Sequence, residues 1–140
     1  MTTSDAFKQL TGFHHIGMAV KSFDASMVFY RKLGYEIQGP IIDPLQNVEL
    51  MLLESTTFPR IELIKPIDEK SPVNNYLKGA AEAIYHLCYE VADLSQTLAF
   101  LEANHRIICL SQPKPAVLFG GRRVSFYQVK GVGMIELLEK

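Results

Sequence analysis

Two eight-residue segments of this chain share one pattern, and this repeat constrains the fold more than any other feature. Phe13–Val20 and Ile84–Val91 align without a gap, so that His15 falls on His86, 71 positions later. Repetition at a fixed spacing is the signature of a duplicated structural unit. The sequence therefore predicts two copies of one module.

A second, shorter repeat lies near the end of each copy. Ile61–Ile64 reads IELI and Ile135–Leu138 reads IELL, and the two segments align with an offset of 74 residues. This alignment puts Glu62 on Glu136. Each predicted module thus contributes one histidine and one glutamate at an equivalent place.

The composition is that of an ordinary globular protein, and we predict one domain over residues 1–140. Of the 140 residues, 48% are hydrophobic, and 14 basic and 15 acidic residues give a net charge of -1. This balance implies no general attraction to nucleic acid or to a membrane surface. Met1–Leu10 has no signal-peptide pattern, and no apolar run is long enough to span a bilayer. Cys88 and Cys109 make no disulfide framework, so we expect a cytoplasmic protein.

The first module, at about residues 13–66, is predicted to be strand–helix–strand–strand–strand. Its first strand alternates, so that Met18 and Val20 share a face that a helix can cover, whereas His15 lies on the other face beside the small Gly17. Small neighbours leave room for a ligand at His15. The predicted elements are a loose arm at Met1–Gly12 with a helical piece around Ala6–Leu10, a strand at Phe13–Val20, a helix at Phe23–Leu33 with Ser22 as N-cap and Gly34 at its end, strands at Tyr35–Gln38, Asn47–Glu54 and Arg60–Lys65, and a loop at Gly39–Leu45.

The second module, at about residues 84–139, repeats this scheme. Asp93 and Gln96 form a capping-box pattern that opens its helix. Neither module can bury its sheet face alone, so we predict an α+β fold in which two βαβββ modules pair into a curved mixed sheet around a metal-binding cleft. The predicted elements are a helical bridge at Asn74–Leu77, a strand at Ile84–Val91, a helix to about Asn104, strands at Arg106–Leu110, Arg122–Val129 and Val132–Leu138, and a loop at Gln112–Gly121.

The repeated polar residues are candidate metal ligands. Taken singly, a histidine in a strand is more often a hydrogen-bonded core residue than a ligand, and a glutamate in a strand usually faces water. Taken together, four such side chains in one cleft would repel or lose their charge unless a cation compensated them. Nitrogen and oxygen donors without a thiolate suit zinc, cobalt, nickel, manganese or iron(II). The four residues are His15, Glu62, His86 and Glu136.

The segments that carry a family resemblance are His15–Val20 followed by Phe29-Tyr30 and Leu33-Gly34, then Ile61–Pro66, Ser71–Val73, Tyr85–Leu87 and Ile135–Leu138. In order and wording they resemble the vicinal oxygen chelate superfamily, also called the glyoxalase/bleomycin resistance/dioxygenase superfamily, and within it most closely the methylmalonyl-CoA epimerases. The resemblance runs from Phe13 to Glu139. It implies that a divalent metal ion is held by the four residues named above.

One ligand position departs from the epimerase pattern. The resembled epimerases commonly carry glutamine where this chain has Glu62, and a His/Glu/His/Glu set resembles glyoxalase I. The additional negative charge would also reduce the Lewis acidity of the ion. The ligand set and the surrounding segments therefore indicate different relatives.

The resemblance also implies a catalytic role for Glu49, which falls where an epimerase-like sequence can carry a catalytic glutamate. Epimerisation requires proton exchange on both faces of a planar intermediate, and we assign this exchange to Glu49 and to Glu136, which doubles as a ligand. The alternative is that Glu49 is an exposed sheet glutamate, sharing a strand face with Met51 and Leu53.

Four further residues lie on a predicted strand that carries a candidate ligand or on the strand that pairs with one. Arg122 and Arg123 alternate across their strand, so at most one faces the cleft, where it could pair with a carboxylate or phosphate of a ligand. A solvated hairpin arginine is the alternative. His14 points to the other side of its strand and is given no metal role. Cys88 shares the His86 face and is interpreted as a small lining residue.

The leading functional hypothesis is a divalent-metal-dependent isomerase or epimerase of a carbonyl compound with an acidic α-proton, such as an acyl-CoA. One alternative, favoured by Glu62, is a glyoxalase I-like lactoylglutathione lyase acting on a thiol adduct. Another is a metal-free protein of the same fold that binds a small antibiotic-like molecule. We expect a homodimer, with the metal site either within one chain or across the dimer.

Overall fold

The elements follow the order strand–helix–strand–strand–strand twice over, as the repeat predicts. The structure, a computed structural model, describes residues 9–140. No helix in this part of the chain is long and apolar enough to cross a membrane. The elements are β1 Leu10–Val20, α1 Asp24–Lys32, β2 Glu36–Asp43, β3 Val48–Glu54, β4 Ile61–Pro66, β5 Glu82–Val91, α2 Leu94–Asn104, β6 Ile107–Pro115, β7 Arg123–Val129 and β8 Gly133–Glu139, with short 3-10 helices at Pro72–Tyr76 and Val117–Phe119.

Two compact units divide the described chain. One unit is His15–Tyr85, and the other is His86–Lys140 together with residues 9–14. The beginning of β1 therefore belongs with the second unit and not with the first. Two hydrogen bonds between residues far apart in sequence hold it there: Thr11 Oγ1 donates to the backbone oxygen of Glu90, and Thr97 Oγ1 donates to that of Gln9.

In the first unit the strand order is β2-β3-β4-β1. β1 and β4 are parallel, and the other neighbours are antiparallel. Alternation along β1 puts Met18 and Val20 on the face that α1 covers, where Val20 is buried with Phe23 of the preceding turn and Met27 of the helix packs against the cluster. The apolar face predicted to need a helix does receive one.

The ends of α1 show one correct and one wrong prediction. Gly34 follows the helix with a φ of 88°, as expected for a residue that ends a helix in the left-handed conformation. Ser22, by contrast, is not the N-cap. Phe23 occupies that position without a side-chain cap bond, while Ser22 Oγ accepts a hydrogen bond from the Asp24 backbone at 3.3 Å.

In the second unit the strand order is β5-β8-β7-β6, with β5 and β8 parallel. The predicted capping of α2 is confirmed, because the Asp93 carboxylate accepts from the Gln96 backbone nitrogen at 3.0 Å. Leu101 of the helix is buried against Tyr127 and Leu137 on one face of the sheet. The other face of the same strands has an apolar cluster of its own.

Two strands extend beyond their predicted ends. Gly39–Leu45 was expected to be a loop, but β2 continues to Asp43 after a register shift between Gln38 and Ile41. Gln112–Gly121 was expected to be a loop as well, but β6 runs to Pro115 with two register shifts. Proline and glycine are compatible with an outer strand that contains a bulge, which explains both errors.

The bridge between the modules is helical where the sequence predicts it. A 3-10 helix runs from Pro72 to Tyr76, so it begins before Asn74 and ends one residue before Leu77. The helical piece expected around Ala6–Leu10 lies mostly outside the described residues, and Leu10 already belongs to β1.

Candidate functional site: two histidine–glutamate pairs

The first pair is His15 and Glu62, which the parallel register of the first unit brings together. Gly17 of β1 lies opposite Glu62 of β4, and alternation puts His15, two residues earlier, on the same face. Gly17, the residue directly beside Glu62, has no side chain. His15 Nε2 lies 3.5 Å from Glu62 Oε1, and the residues are 0% and 4% exposed.

The second pair is His86 and Glu136, and its construction is the same. Cys88 of β5 lies opposite Glu136 of β8 in a parallel register, and His86 is again two residues earlier. His86 Nε2 lies 3.1 Å from Glu136 Oε1, and both residues are 2% exposed. The fully buried Cys88 takes the place that Gly17 has in the first unit, which agrees with its interpretation as a small lining residue.

The chemistry of the pairs fits a divalent cation. Each of the four residues offers one ligand atom, an imidazole nitrogen or a carboxylate oxygen, and such mixed sets bind first-row divalent metals. Burying a carboxylate is costly unless a positive charge accompanies it. The ring centroids of Phe126 and His86 lie 5.2 Å apart, so the second pair has an apolar neighbour.

Glu49, the other predicted catalytic residue, lies elsewhere in the first unit. In the antiparallel β3–β4 register Leu52 is opposite Glu62, whereas Glu49 is opposite Lys65. Since 49 and 52 differ by an odd number, Glu49 is on the opposite sheet face from Glu62. Its Oε1 lies 3.1 Å from Lys65 Nζ, which itself lies 5.3 Å from the ring centroid of Phe23. The structure thus brings Glu49 together with Lys65 and not with Glu62.

The two arginines have carboxylate partners within the second unit. Arg122 donates from Nη2 to Glu90 Oε2 at 2.7 Å and from Nε to the backbone oxygen of Glu139 at 2.9 Å. Arg123 donates to Glu139 Oε1 at 2.7 Å. Glu90 shares the face of His86 by alternation along β5, so Arg122 is the arginine directed to that face. Its hydrogen bond lowers the pKa of Glu90.

Sequence reasoning missed Phe119 and Phe126 on this face. Phe126 lies directly opposite Glu136 in the β7–β8 register, and alternation along the predicted hairpin could have revealed it. Phe119 lies in a loop, and its ring is 4.9 Å from that of His14 in an edge-to-face contact. No local pattern predicts this contact. His14, which was given no metal role, is thus an aromatic neighbour of the loop.

Comparison with known families assigns the class. The profile of the Glyoxalase/Bleomycin resistance protein/Dioxygenase superfamily matches residues 14–126. This range includes three of the four paired residues and most of both units. The chain belongs to this superfamily, and the resemblance seen in its sequence is confirmed.

The individual proteins that this chain resembles include several acyl-CoA epimerases. The chain is 35% identical over 106 residues to an ethylmalonyl-CoA/methylmalonyl-CoA epimerase of Cereibacter sphaeroides, covering 72% of this chain and 77% of the relative. It is 32% identical over 134 residues to a mitochondrial methylmalonyl-CoA epimerase of Dictyostelium discoideum, covering 91% and 77%. The crystal structure of the Mycobacterium tuberculosis methylmalonyl-CoA epimerase matches with a TM-score of 0.78 and 25% identity, covering 99% of this chain and 91% of that one. The predicted α+β fold class is therefore confirmed.

Proposed function

We propose that this protein is a divalent-metal-dependent epimerase that inverts the carbon next to the thioester carbonyl of an acyl-CoA such as methylmalonyl-CoA. The observation that carries the proposal is the presence of two matched, buried histidine–glutamate pairs in a chain whose relatives are epimerases of such thioesters. These relatives do not favour the glyoxalase I-like or antibiotic-binding alternatives.

The proposed cation site combines both pairs. A single pair supplies two protein donors, whereas divalent metal sites generally use three or four. We therefore assign His15, Glu62, His86 and Glu136 to one ion, with both pairs supplied by one chain or by two chains of a dimer. When bound, a zinc, cobalt, nickel, manganese or iron(II) ion supplies Lewis acidity toward a carbonyl oxygen.

Proton transfer is proposed for two carboxylates. The ionised carboxylate of Glu136 takes the proton from the α-carbon on one face, and a second carboxyl group, in its protonated form, delivers a proton to the other face, since inversion requires both. Glu49 is our candidate for this second group because of the sequence resemblance alone. Its ion pair with Lys65 on the opposite sheet face gives that assignment no support, so it needs its own test.

The test of the function measures α-proton exchange. Protein purified without added metal is analysed for elements, then incubated with methylmalonyl-CoA in deuterium oxide. We expect a bound divalent metal, incorporation of deuterium at the α-carbon and inversion of its configuration, all lost with a chelator and regained with metal. A glutathione hemithioacetal should be turned over far more slowly. Turnover of the hemithioacetal alone would contradict the proposal and support the lyase, and neither activity with no metal would support the binding protein.

The assembly and the compartment belong to the same proposal. We propose a homodimer that acts in the cytoplasm. The cytoplasmic assignment rests on the sequence, whose two cysteines form no pattern typical of a disulfide-rich secreted protein. Light scattering on the purified protein tests the dimer, and a measured mass of a single chain at micromolar concentration would contradict it.

A further inference from the structure

The loop between β6 and β7 is a small closed unit that presents one aromatic side chain. The Ala116 backbone nitrogen donates to the Arg122 oxygen at 2.9 Å, and that of Gly121 donates to the Ala116 oxygen at 3.0 Å. Between these bonds the 3-10 turn Val117–Phe119 forms the tip. The two bonds close the base of the loop at Ala116 and Arg122. The contacts that hold Arg122 therefore also hold the Phe119 side chain in position.

Phe119 packs on the sheet face that carries the second histidine–glutamate pair. It lies against a buried cluster that includes Cys88 and Phe126. Cys88 and Phe126 are both opposite Glu136 in their registers, and the Phe126 ring contacts that of His86. The buried apolar cluster against which Phe119 packs therefore lies directly beside the His86–Glu136 pair.

The base of the loop is anchored by the Arg122–Glu90 ion pair. Arg122 donates to the Glu90 carboxylate at 2.7 Å and, with a second nitrogen, to the Glu139 backbone at 2.9 Å. Two hydrogen bonds from a planar guanidinium fix both its position and its orientation. The side chains of Arg122 and Glu90 are 33% and 26% exposed, so water competes with the pair only in part.

We propose that Phe119, held in place by the Arg122–Glu90 pair, limits the size of the α-alkyl substituent that the site accepts. This inference rests on the proposed function. In a substituted malonyl thioester the alkyl group is bonded to the carbon next to the carbonyl, so it lies within a few bonds of any group that contacts the carbonyl oxygen or the α-proton. Beside His86 and Glu136, the apolar cluster of Cys88 and Phe126 is buried, and the partly buried Phe119 that packs against it is the apolar group that an alkyl substituent can contact.

The direct test compares two substrates that differ by one methylene. For Phe119→Ala, we expect the ratio of kcat/KM for ethylmalonyl-CoA to that for methylmalonyl-CoA to rise about tenfold or more, the usual value of one methylene in an apolar pocket. Val117→Ala is the matched control, because Val117 lies in the same turn but is 44% exposed. It should leave the ratio unchanged.

The anchor is tested by a second set of variants. Arg122→Met and Glu90→Gln should each raise the ratio of kcat/KM for ethylmalonyl-CoA to that for methylmalonyl-CoA, mainly through KM and by a smaller factor than Phe119→Ala does. The double variant should raise this ratio no more than either single variant. Arg123→Met, which removes the more exposed neighbouring ion pair with Glu139, should have no effect. Metal content should be the same in all variants.

The outcomes separate this inference from the proposed function. Wild-type protein that epimerises both thioesters, combined with an unchanged ratio in Phe119→Ala, would overturn the role of Phe119 and leave the function intact. Wild-type protein that epimerises neither thioester would overturn the function, and this inference with it. A raised ratio in Val117→Ala equal to that in Phe119→Ala would also contradict the inference, since the loop as a whole and not Phe119 would then set the size.

Discussion

At the scale of single residues, each histidine–glutamate contact has a small neighbour. Gly17 and Cys88 occupy the strand position opposite the glutamate, so the residue beside each glutamate is small. The distances of 3.5 Å and 3.1 Å leave the paired atoms close enough to share a bound cation.

The role of Glu49 is tested by separating its carboxylate from its ion pair. If Glu49 is a proton-transfer group, Glu49→Gln should slow inversion of the α-carbon by about 100-fold or more while metal content stays unchanged. Lys65→Met, which removes only the partner, should change the rate of inversion by less than about fivefold because a partly exposed ion pair contributes at most about 1 kcal/mol. Conversion of one epimer of methylmalonyl-CoA into the other measures both rates. Equal, small effects would show that Glu49 serves only its ion pair with Lys65.

Glu90 should give the stability of the protein a specific pH dependence. The hydrogen bond from Arg122 holds the pKa of Glu90 below its ordinary value of 4.5, with the charges of Arg122, His14 and Lys140 acting in the same direction and burial opposing them. Because the folded-state pKa is lowered, the ionised carboxylate stabilises the fold above pH 4.5, and this contribution is lost as the pH falls through the lowered value.

The measurement is the difference in Tm between wild-type protein and Glu90→Gln at several pH values. We expect wild type to be the more stable at pH 6, and the difference to shrink as the pH falls from 4.5 toward full protonation of Glu90. A difference that stays constant across this range would contradict the assigned cause.

At the scale of elements, local patterns predicted all eight described strands and both helices but not where the outer strands β2 and β6 end. The alternation of β1 and the capping residue Asp93 are local signals, and both predictions are confirmed. The ends of β2 and β6 depend on bulges that place Gly39 and Pro115 within strands, and proline and glycine in sequence indicate a loop just as well. Phe119 depends on packing between residues far apart in the chain, which no local pattern encodes.

The bulge of β2 gives a stability prediction with a matched control. Gly39 has a φ of 109°, and a Cβ there would lie 2.8 Å from the backbone oxygen of Leu50, whereas Gly34, with a φ of 88°, has nothing within 4 Å of its Cβ position. Gly34→Ala should therefore lower the free energy of unfolding by about 1 kcal/mol, the cost of the backbone conformation. Gly39→Ala should cost at least about 2 kcal/mol more because a backbone atom must also move. Urea denaturation measures both values, and equal losses would contradict the described geometry of the bulge.

At the scale of the whole molecule, the duplication explains why the candidate site could be derived from the sequence. A histidine or glutamate considered alone gives no reliable signal, but the repeat marks His15 with His86 and Glu62 with Glu136 as equivalent. The structure then pairs each histidine with the glutamate of its own module. The repeat does not encode the sheet face on which the Glu49 side chain lies, because that face depends on the register of β3 with β4.

The central claim is that both pairs hold one cation, and elemental analysis combined with titration calorimetry tests it most directly. Metal-stripped protein should bind one divalent ion per chain, and His15→Ala and His86→Ala should each weaken that binding by about tenfold or more, since either variant leaves three of the four donors. His105→Ala, which changes an exposed histidine, should bind as wild type does. Binding of two ions per chain, or an unchanged affinity in either variant that lacks a paired histidine, would contradict the account.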